Sequence, residues 1–541
     1  MDSAEAHRSK GSKRAEAVSG SDFLQLDVGQ APPGGRTEWL TDRIRAAIAD
    51  GTLPVGSRLP AGRVLAAELG VSRGLVTEAY QRLADAGQVL GRGRAGTTVV
   101  AGPMPATVPA PVPSPMPAPV PAPVPRAPLS AAPTGPAAPT RPAAPTGQLG
   151  AIPSGGSHGP AGPFAPAVPS APVVDALRGV PCRIDLSPGV PDLTAFPRTA
   201  WLQAERRVLA GLTAADFGYG NPQGTPALRA AVTGWLARNR GIRADPDEVV
   251  VVAGVAQALG LLAHVLRENG VRRVAVEDPG SLGARQQLEY GRLETVPVPV
   301  DGSGIDTAAL RAGGAGAVLL TPAHQFPTGV VLDGERRREL LGWAAAGGLV
   351  IEDDYDAEHR YDRAPVPALR ALFPEGVCYA GSVSKLLAPA LRLGWLLVPP
   401  RLRDAVVAAK RYADLGNPIL AQLVLARLMD SGELERHLRF VRRRHRRRRD
   451  AMLRAIAAHL PGARIHGAAA GLHLMVTFDG ADFEDTALAA GALALGVKAH
   501  PLSWHRIRPG SPGLVLGYAA GPPGELEEGI ALLGRALGRL R

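Results

Sequence analysis

Apolar residues recur at helical spacing in three short segments between Glu38 and Val100. The three sets are Leu40, Ile44, Ala47 and Ile48; Val64, Leu65 and Leu69; and Val76, Ala79, Tyr80 and Leu83. Each set marks one face of an amphipathic helix. Two strand-like pieces follow in VLGRGRAGTTVV, while Gly70 is placed to turn the chain and Ser72 to cap the third helix. The pattern over residues 36–100 predicts a winged helix-turn-helix.

The segment from residue 101 to 178 has a different pattern and begins AGPMPATVPAPVPSPMPAPVPAPVPRAP. Proline fixes φ and removes a backbone donor, so this composition predicts a semi-extended, polyproline-like tether. Its roughly 78 residues would span about 240 Å if fully extended. Residues 1–35 are polar and lack periodicity, so they are predicted to be a disordered tail.

From residue 179 to 541, apolar strand-like runs alternate with amphipathic helices. The runs are VVVVA at 249–253, VRRVAVED at 271–278, AVLLTPA at 317–323 and LVIEDD at 349–354. Such alternation is typical of an α/β unit with a mostly parallel sheet. The helices predicted from 401 to 460 and the residues after them would add a smaller α+β lobe. The chain is therefore predicted to be multidomain.

Size and charge agree with this division. The chain has 541 residues, more than one hydrophobic core supports, and its formal net charge of +11 favours polyanions as partners. Cys182 and Cys378 are too few for a disulfide scaffold and lack metal-ligand spacing, so no metal site is expected. The start of the chain lacks the apolar stretch of a signal peptide, and no apolar run is long enough to span a membrane. A reducing cytoplasm is therefore expected.

Part of the positive charge lies in RRRHRRRR at 442–449. Such a run is usually the solvated face of a helix. Direct contact with DNA is the alternative, and the sequence leaves both open.

The third predicted helix carries the residues best placed to read DNA. With its apolar set turned inward, Arg73, Gly74 and Thr77 face outward in the half that meets base edges in the major groove. Arg73 can pair bidentately with guanine, and Thr77 can contact a thymine methyl group or a phosphate. Arg63 is placed to hold a phosphate, and the glycines of GRGRAG, including Gly96, let the wing approach the DNA backbone closely.

The stretch LPAGRVLAAELGVSRGLVTEAYQRLADAG resembles the GntR family of bacterial repressors over roughly residues 37–100. The resemblance implies double-stranded operator DNA as the partner. It also implies that the DNA-contacting positions are Arg63, Ser72, Arg73, Thr77 and Gly96. A winged helix can instead serve as a dimerisation module, but the outward residues here are basic or small, which favours DNA.

A lysine stands between small residues in GSVSKLLAPALRLGW at 381–395. A buried lysine is costly unless its charge is lost or used. Pyridoxal 5'-phosphate requires an amine for a Schiff base, an anion beside its pyridine nitrogen, a donor to its phenolic oxygen and a cradle for its phosphate. Lys385 is predicted to be the amine, Asp353 the anion at the end of LVIEDD, and Tyr355 the donor to the phenolic oxygen.

The same motifs resemble those of the fold-type I aminotransferases, which place Asp, any residue and Tyr about thirty residues before SxSK. The resemblance covers the whole unit from residue 179 to 541 and implies pyridoxal 5'-phosphate as the cofactor. It further implies Ser382 and Arg392 as phosphate ligands, the arginine donating two parallel hydrogen bonds.

Two further segments fit this resemblance. Gly254 stands at a strand-to-helix junction, where the amides of Val255 and Ala256 are predicted to point at the phosphate. YGNPQG at 219–224 matches the aminotransferase segment whose tyrosine reaches the phosphate of the partner subunit. Tyr219 therefore implies a homodimer with shared sites.

The fusion of the two units resembles the MocR class of regulators, and within it the regulators of vitamin B6 synthesis. Departures from the aminotransferase pattern begin in HQFPTG at 324–329, where Phe326 occupies the position of an asparagine. Gln325 or His324 is the candidate for its contact to the ring oxygen. Ser281 stands where many relatives have a tyrosine that packs near the cofactor.

A third departure concerns the substrate. Val515 occupies the position where aminotransferases use an arginine to hold the substrate α-carboxylate, and Arg506 or Arg508 is the candidate to replace it. Losing this contact favours a transcriptional regulator whose cofactor domain senses pyridoxal phosphate, or an amine that reacts with it, in vitamin B6 or amino-compound metabolism. The alternative is a working aminotransferase tethered to a DNA anchor.

Overall fold

A computed structural model of the protein describes residues 20–21, 24, 26–49, 52–53, 56–91, 96–100, 173–361 and 366–540. Most of the predicted tail and of the predicted tether lies outside these residues, as does most of the wing tip. No helix in the described part of the chain is long and apolar enough to cross a membrane. Residues 20–100 are called the head below, and residues 173–540 the body.

The head is built from short elements. In chain order they are β1 (Gly20–Ser21), β2 (Leu26–Asp27), α1 (Arg36–Ala49), β3 (Arg58–Leu59), α2 (Gly62–Glu68), α3 (Arg73–Asp85), β4 (Val89–Gly91) and β5 (Thr97–Val99). Strand β5 pairs antiparallel with β3 and with β4, and β1 pairs with β2. Three helices followed by a small sheet confirm the predicted winged helix-turn-helix.

Local chemistry sets the turn between α2 and α3. Gly70 has a φ of +62°, which a residue without a side chain adopts at little cost. The Ser72 hydroxyl accepts a hydrogen bond from the Leu75 amide at 3.3 Å and so caps α3. The predicted inward residues of α3 are buried, which leaves its opposite face free.

Three expectations for the head and the tether are wrong. Val64 is 44% exposed because α2 buries only its neighbours at Leu65 and Ala66. Leu26 is 1% exposed and belongs to the head core, so the folded head begins before residue 36. The segment around Leu26 was not predicted, because the two-residue strand β2 is too short to show a hydrophobic period. The tether likewise ends before residue 178, because a helix with Leu177 buried begins at Val173.

The body contains the remaining elements. In chain order they are α4 (Val173–Gly179), β6 (Ile184–Asp185), α5 (Arg198–Gly211), α6 (Pro226–Arg240), β7 (Val249–Val252), α7 (Val255–Glu268), β8 (Arg273–Asp278), α8 (Leu282–Tyr290), β9 (Glu294–Asp301), β10 (Gly304–Ile305), α9 (Thr307–Ala312), β11 (Ala317–Leu320), α10 (Gly334–Ala345), β12 (Leu349–Asp354), β13 (Val377–Ser382), β14 (Gly394–Leu397), α11 (Pro400–Asp414), α12 (Ile419–Asp430), α13 (Glu433–His459), β15 (Arg464–His466), β16 (His473–Thr477), α14 (Asp485–Ala494), β17 (Val497–Lys498), β18 (His500–Pro501), β19 (Gly513–Gly517) and α15 (Pro523–Leu540).

An eight-stranded sheet forms the centre of the body. Its order is β10-β9-β8-β11-β12-β13-β14-β7, and the five strands from β9 to β13 in this order run parallel. Strand β14 is antiparallel to both β13 and β7, and β10 is antiparallel to β9. Each of the four predicted apolar runs is a strand of this sheet. The carboxyl ends of β8, β11, β12 and β13 meet at one edge, where ligands of open α/β sheets bind.

The smaller lobe follows the 27-residue helix α13. Its antiparallel sheet has the order β15-β16-β19-β18, and helices α14 and α15 share one hydrophobic core with it. This confirms the predicted α+β lobe at the C-terminal side of the body.

Candidate cofactor site and DNA-reading helix

Strand β12 carries three consecutive carboxyl groups whose side chains alternate between its two faces. Glu352 accepts hydrogen bonds from the amides of Leu369 and Arg370, each at 3.0 Å. Asp354 accepts from Arg240 Nε and from the Tyr379 hydroxyl, each at 2.5 Å. Glu352 and Asp354 are therefore both hydrogen-bonded on one face of β12. Asp353 lies between them and points to the other face.

Asp353 is the carboxyl group left without a partner. Its Oδ1 is shielded from solvent and accepts no hydrogen bond from any described residue. Burial, reinforced by the neighbouring Asp354, raises the pKa of Asp353 to about 7. A cavity beside it is lined partly by Ser281, Ala284 and Arg285. An unsatisfied buried carboxyl next to a cavity fits an anion that receives a protonated ring nitrogen.

Lys385 lies in the turn that follows β13, at the same edge of the sheet. Its Nζ donates a hydrogen bond to the Gly189 carbonyl. Burial lowers the pKa of Lys385, although Asp356 and Asp353 act against it. A lower pKa increases the fraction of neutral amine, which is the form that attacks an aldehyde.

Tyr355 is linked to a buried His–Asp pair. His324 Nδ1 lies 3.0 Å from the Tyr355 hydroxyl and 3.1 Å from Asp356 Oδ2. These contacts join the Tyr355 hydroxyl, the His324 ring and the Asp356 carboxyl group in one hydrogen-bonded cluster. Burial, reinforced by Asp356 and Asp353, raises the pKa of Tyr355 well above its usual value and keeps the donor protonated.

The predicted phosphate ligands surround the start of α7. Gly254 has a φ of +95°, and a Cβ there would lie 3.3 Å from the Arg392 guanidinium, so only glycine leaves this space open. The amides of Val255 and Ala256, in the first turn of α7, have no intrahelical acceptor. Ser382 is buried at the end of β13. Arg392 is exposed, although the apolar residues around it in the sequence suggest a buried position.

Gln325, a predicted cofactor residue, has protein partners for both atoms of its side-chain amide. Its Nε2 donates to the carbonyls of Pro279 and Phe326 at 2.8 and 2.6 Å. Its Oε1 accepts from the Thr328 amide and hydroxyl at 3.0 and 2.6 Å. The side-chain amide is therefore hydrogen-bonded to Pro279, Phe326 and Thr328, and the assignment of Gln325 to the cofactor stays a prediction. The other candidate, His324, reaches the site through Tyr355.

The position of the substrate-carboxylate arginine is apolar. Val515 is 0% exposed and packs with Met475 and Leu502, and Phe326 lies against this group. We call these four residues the apolar wall. The two candidate replacements are used elsewhere, because Arg506 donates to the Ser511 carbonyl and Arg508 to the Pro297 carbonyl at 3.2 Å. The replacement of the missing contact by Arg506 or Arg508 stays a prediction.

Several buried groups around the site escaped the sequence analysis. Asp356 follows Tyr355 directly, but nothing in its surroundings marks it as the partner of a histidine 32 positions away. His473 lies near both, and ligand atoms of His324, Asp356 and His473 lie within 4.8 Å of one another. Glu277 accepts from Thr321 at 2.9 Å, and burial raises the pKa of Glu277 to about 7. A glutamate at the end of an apolar strand was the available signal for Glu277.

The head presents its predicted DNA-reading residues to solvent. Arg63, Arg73 and Thr77 are exposed, and the Thr77 hydroxyl donates to the Arg73 carbonyl at 3.0 Å. The Ser72 oxygen is used in capping α3, which leaves its hydroxyl hydrogen for an outside acceptor. Gly96 has a φ of +90°, and a Cβ there would meet the Arg58 side chain at 2.8 Å. The middle of the GRGRAG segment, residues 92–95, lies outside the described residues.

Comparison with known proteins agrees with both halves. Residues 37–99 match the model of bacterial regulatory proteins of the gntR family, and residues 183–528 match aminotransferase class I and II. Over 91% of each chain, the protein is 32% identical to the probable rhizopine catabolism regulatory protein MocR of Rhizobium meliloti. The chain is a MocR-type regulator of the GntR family.

Two further similarities bear on the body of this MocR-type regulator. It is 30% identical to the pyridoxine biosynthesis transcriptional regulator PdxR of Corynebacterium glutamicum, over 85% of this chain and 87% of that one. A solved structure of LysN, an alpha-aminoadipate aminotransferase from Thermus thermophilus, superimposes with a TM-score of 0.62 at 29% identity. The match covers 70% of the regulator and 97% of LysN. The aminotransferase class I and II fold, which generally binds pyridoxal phosphate, is thereby confirmed for the body.

Proposed function

We propose that this MocR-type regulator binds pyridoxal 5'-phosphate in its body and uses it as a sensing ligand to control vitamin B6 or amino-compound metabolism. The observation that carries the proposal is the convergence of Lys385, Asp353 and Tyr355 at one edge of the sheet, with Asp353 Oδ1 buried and without a described partner. Similarity to PdxR supports vitamin B6 as the first choice of pathway.

Each of the three residues has one task toward the cofactor. Bound pyridoxal phosphate supplies an aldehyde and an electron-withdrawing ring. Lys385 is the amine that holds the aldehyde carbon. Asp353 keeps the ring nitrogen protonated, because a nearby anion favours the charged form. Tyr355 donates its hydroxyl hydrogen to the phenolic oxygen, and His324 holds the tyrosine in position from the other side.

The phosphate is assigned to the start of α7. Ser382, Arg392 and the amides of Val255 and Ala256 are the proposed donors. The open space at Gly254 beside the Arg392 guanidinium supports this assignment, since a side chain there would occupy the approach to the cation. A helix N-terminus adds favourable partial charge for an anion.

The apolar wall favours sensing over catalysis. An amino-acid transaminase orients its substrate through a charge-assisted clamp on the α-carboxylate. In this regulator the corresponding position is buried among apolar side chains, and burying a carboxylate there without a partner is costly. The body is therefore expected to respond to the cofactor itself, or to an amine without an α-carboxylate.

A working aminotransferase tethered to a DNA-binding head is the second candidate. The completeness of the set formed by Lys385, Asp353 and Tyr355 favours it, as does the similarity of the fold to LysN. Residual amino-group transfer is compatible with both proposals, so the two are separated by whether DNA binding depends on the cofactor.

The proposed partners are double-stranded operator DNA and a second copy of the chain. Tyr219, assigned to the phosphate of the other subunit, is 96% exposed in the single chain. Leu202, Leu209 and Phe217 are also exposed apolar side chains in the neighbouring sequence, which supports a covered surface in a homodimer. The cytoplasm is the proposed location, because it holds the DNA of a bacterial cell.

An operator-binding titration with and without pyridoxal phosphate tests the proposal. The full chain is titrated onto its promoter fragment, and amino-group transfer is assayed in parallel over common amino acids. We expect DNA affinity to change with the cofactor and turnover to be absent or slow. Unchanged DNA affinity together with multiple turnovers on any amino acid would leave the enzyme as the better account, because a ligand cannot shift an equilibrium between states that it binds equally.

A further inference from the structure

The arginine run at 442–449 lies on helix α13, and the helix divides it between two environments. The inward arginines hold groups of the body. Arg444 and Arg448 bind Asp192 at 2.6 and 2.8 Å, and Arg449 donates to the Ala468 carbonyl at 3.0 Å. Arg442 donates to the Glu358 carbonyl. Arg446, although exposed, donates to the Tyr361 carbonyl. These five side chains are bonded to the body, so they account for five of the seven arginines in the run.

The outward arginines are different. Arg439, Arg443 and Arg447 are exposed and follow one another at intervals of four residues, which places them in a row on the helix surface. No hydrogen bond or ion pair joins them to any residue within 173–361 or 366–540. We call these three residues the outer stripe. From the first to the third, the stripe extends about 12 Å along the helix axis.

Arginines at the two ends of the same helix have acidic partners. Arg436 pairs with Glu433, and Arg454 lies 3.8 Å from Glu527. Like charges four residues apart destabilise a helix, so the outer stripe works against the helix that carries it. The core-facing side of α13 supplies its packing through residues such as Leu434, Leu438 and Val441. No hydrogen bond or ion pair in the described part of the body offsets the repulsion within the stripe.

We infer that the outer stripe binds the phosphate backbone of the DNA that flanks the site held by the head. A DNA strand advances 3.4 Å per phosphate along the duplex axis, so a 12 Å row of cations matches roughly three to four phosphates. Arginine suits this contact because its planar fork can donate two hydrogen bonds to one phosphate.

DNA is favoured over other polyanions because the head of the same chain holds it nearby. Once the head is bound, the linking segment confines the body to the neighbouring duplex, which raises the local concentration of phosphates for the stripe. The inference needs only DNA binding by the head and is independent of the cofactor proposal.

The test replaces the outer stripe in the full chain with glutamine (R439Q, R443Q and R447Q) and titrates a 60-base-pair duplex at several salt concentrations. We expect the slope of log affinity against log salt to fall by about 2.7, which is 0.9 per phosphate contact. Between 50 and 200 mM salt, the unmodified protein should then lose about 40-fold more affinity than the variant.

A matched control removes the same charge elsewhere. Arg427, Arg535 and Arg539 are exposed on α12 and α15, and their triple change to glutamine should leave the slope nearly unchanged. Lysine at the three stripe positions should retain most of the slope, which a structural role of the guanidinium groups would not allow. Equal slopes for the stripe variant and the unmodified protein, or equal losses in the stripe and control variants, would overturn the inference. An R73A variant, tested in parallel on the promoter fragment, reports failure of the head separately.

Discussion

The DNA-reading helix and the cofactor site hold their charged residues in opposite ways. Arg63 and Arg73 stand exposed on the head, where solvent surrounds their side chains. Lys385 and Asp353 are enclosed. Burial lowers the pKa of Lys385 and raises the pKa of Asp353, so it favours the uncharged form of each. An exposed charge contributes only when its partner arrives, whereas an enclosed charge is costly until a ligand pairs with it. Changes in the head should therefore affect affinity alone, while changes in the site should affect ligand binding and stability together.

Replacing Lys385 should have the largest effect. Lys385→Ala removes the amine proposed to hold the cofactor, so covalent loading should be lost completely. Visible absorbance after incubation with pyridoxal phosphate, and peptide mapping after borohydride reduction, measure this loss. The chain has only five lysines, and Lys410 and Lys498 are the other two in the body, which makes mapping unambiguous. Recovery of the label on either of these would refute the assignment of Lys385.

Removing an exposed arginine from the head should have a smaller and partner-dependent effect. Arg73→Ala should cost about 1 to 3 kcal/mol at a specific operator and less on unrelated DNA, because a base contact is lost. Arg63→Ala is the matched variant, and it should weaken both kinds of DNA equally and reduce the salt slope by about one. Melting temperatures should not change in either case. An equal loss for Arg73→Ala on both DNAs would show that Arg73 contacts only phosphate.

The enclosed carboxyl should instead make stability depend on pH. The folded pKa of Asp353, about 7, lies above that of an unfolded aspartate, so the folded state binds more protons between these two values. Stability of the cofactor-free protein should therefore fall as pH rises toward 7, by on the order of 1 to 3 kcal/mol from this group. Asp353→Asn should flatten part of this slope, measured by denaturant titration at several pH values.

Exposed Asp404 provides the control, because Asp404→Asn should leave the pH slope as it is. Cofactor loading should also flatten the slope, since a protonated ring nitrogen beside Asp353 favours the ionised carboxylate. If Asp353→Asn leaves the slope of stability against pH unchanged, other buried acids such as Glu277 cause that slope, and the prediction for Asp353 is refuted.

Operator geometry should have the smallest effect. The proline-rich composition of residues 101–178 predicts that two heads search separately, whereas directly joined heads would fix half-sites near multiples of about 34 Å. Affinity should fall only gradually as half-sites move apart, and direct and inverted repeats should both be bound. Binding to a series of promoter fragments with altered spacing measures this, and a sharp optimum at one spacing would contradict it.

Much of the head and of the central sheet could be predicted because their signals are local. Periodicity identified α1 and α3, and continuous apolar runs identified β7, β8, β11 and β12. Asp353, Tyr355 and Lys385 were singled out for the same reason, since each lies in the last residues of a strand or shortly after it, and their roles toward the cofactor stay predictions. The segment around Leu26 was missed because a two-residue strand carries no period.

Contacts between distant segments could not be predicted. The side-chain amide of Gln325 is hydrogen-bonded to Thr328 nearby and to Pro279 in another segment, and nothing in HQFPTG indicates the contact with Pro279. Asp356 and His473 approach His324 only after the sheet and the smaller lobe have assembled. In the arginine run, the division between buried and exposed members follows from which face of α13 meets the body. These outcomes depend on tertiary packing, and a single sequence does not contain them explicitly.

The apolar wall has a consequence for how reliably such a protein reports its signal. Free amino acids are abundant in a cell, and an amino acid held in a fully equipped site would transfer its amino group to the aldehyde of the cofactor and leave as the keto acid. The apolar wall offers no positively charged partner to the carboxylate of an amino acid. It consists of Val515, Met475, Leu502 and Phe326. On the proposed function, occupancy of the body is therefore expected to follow the supply of pyridoxal phosphate and not the concentration of free amino acids.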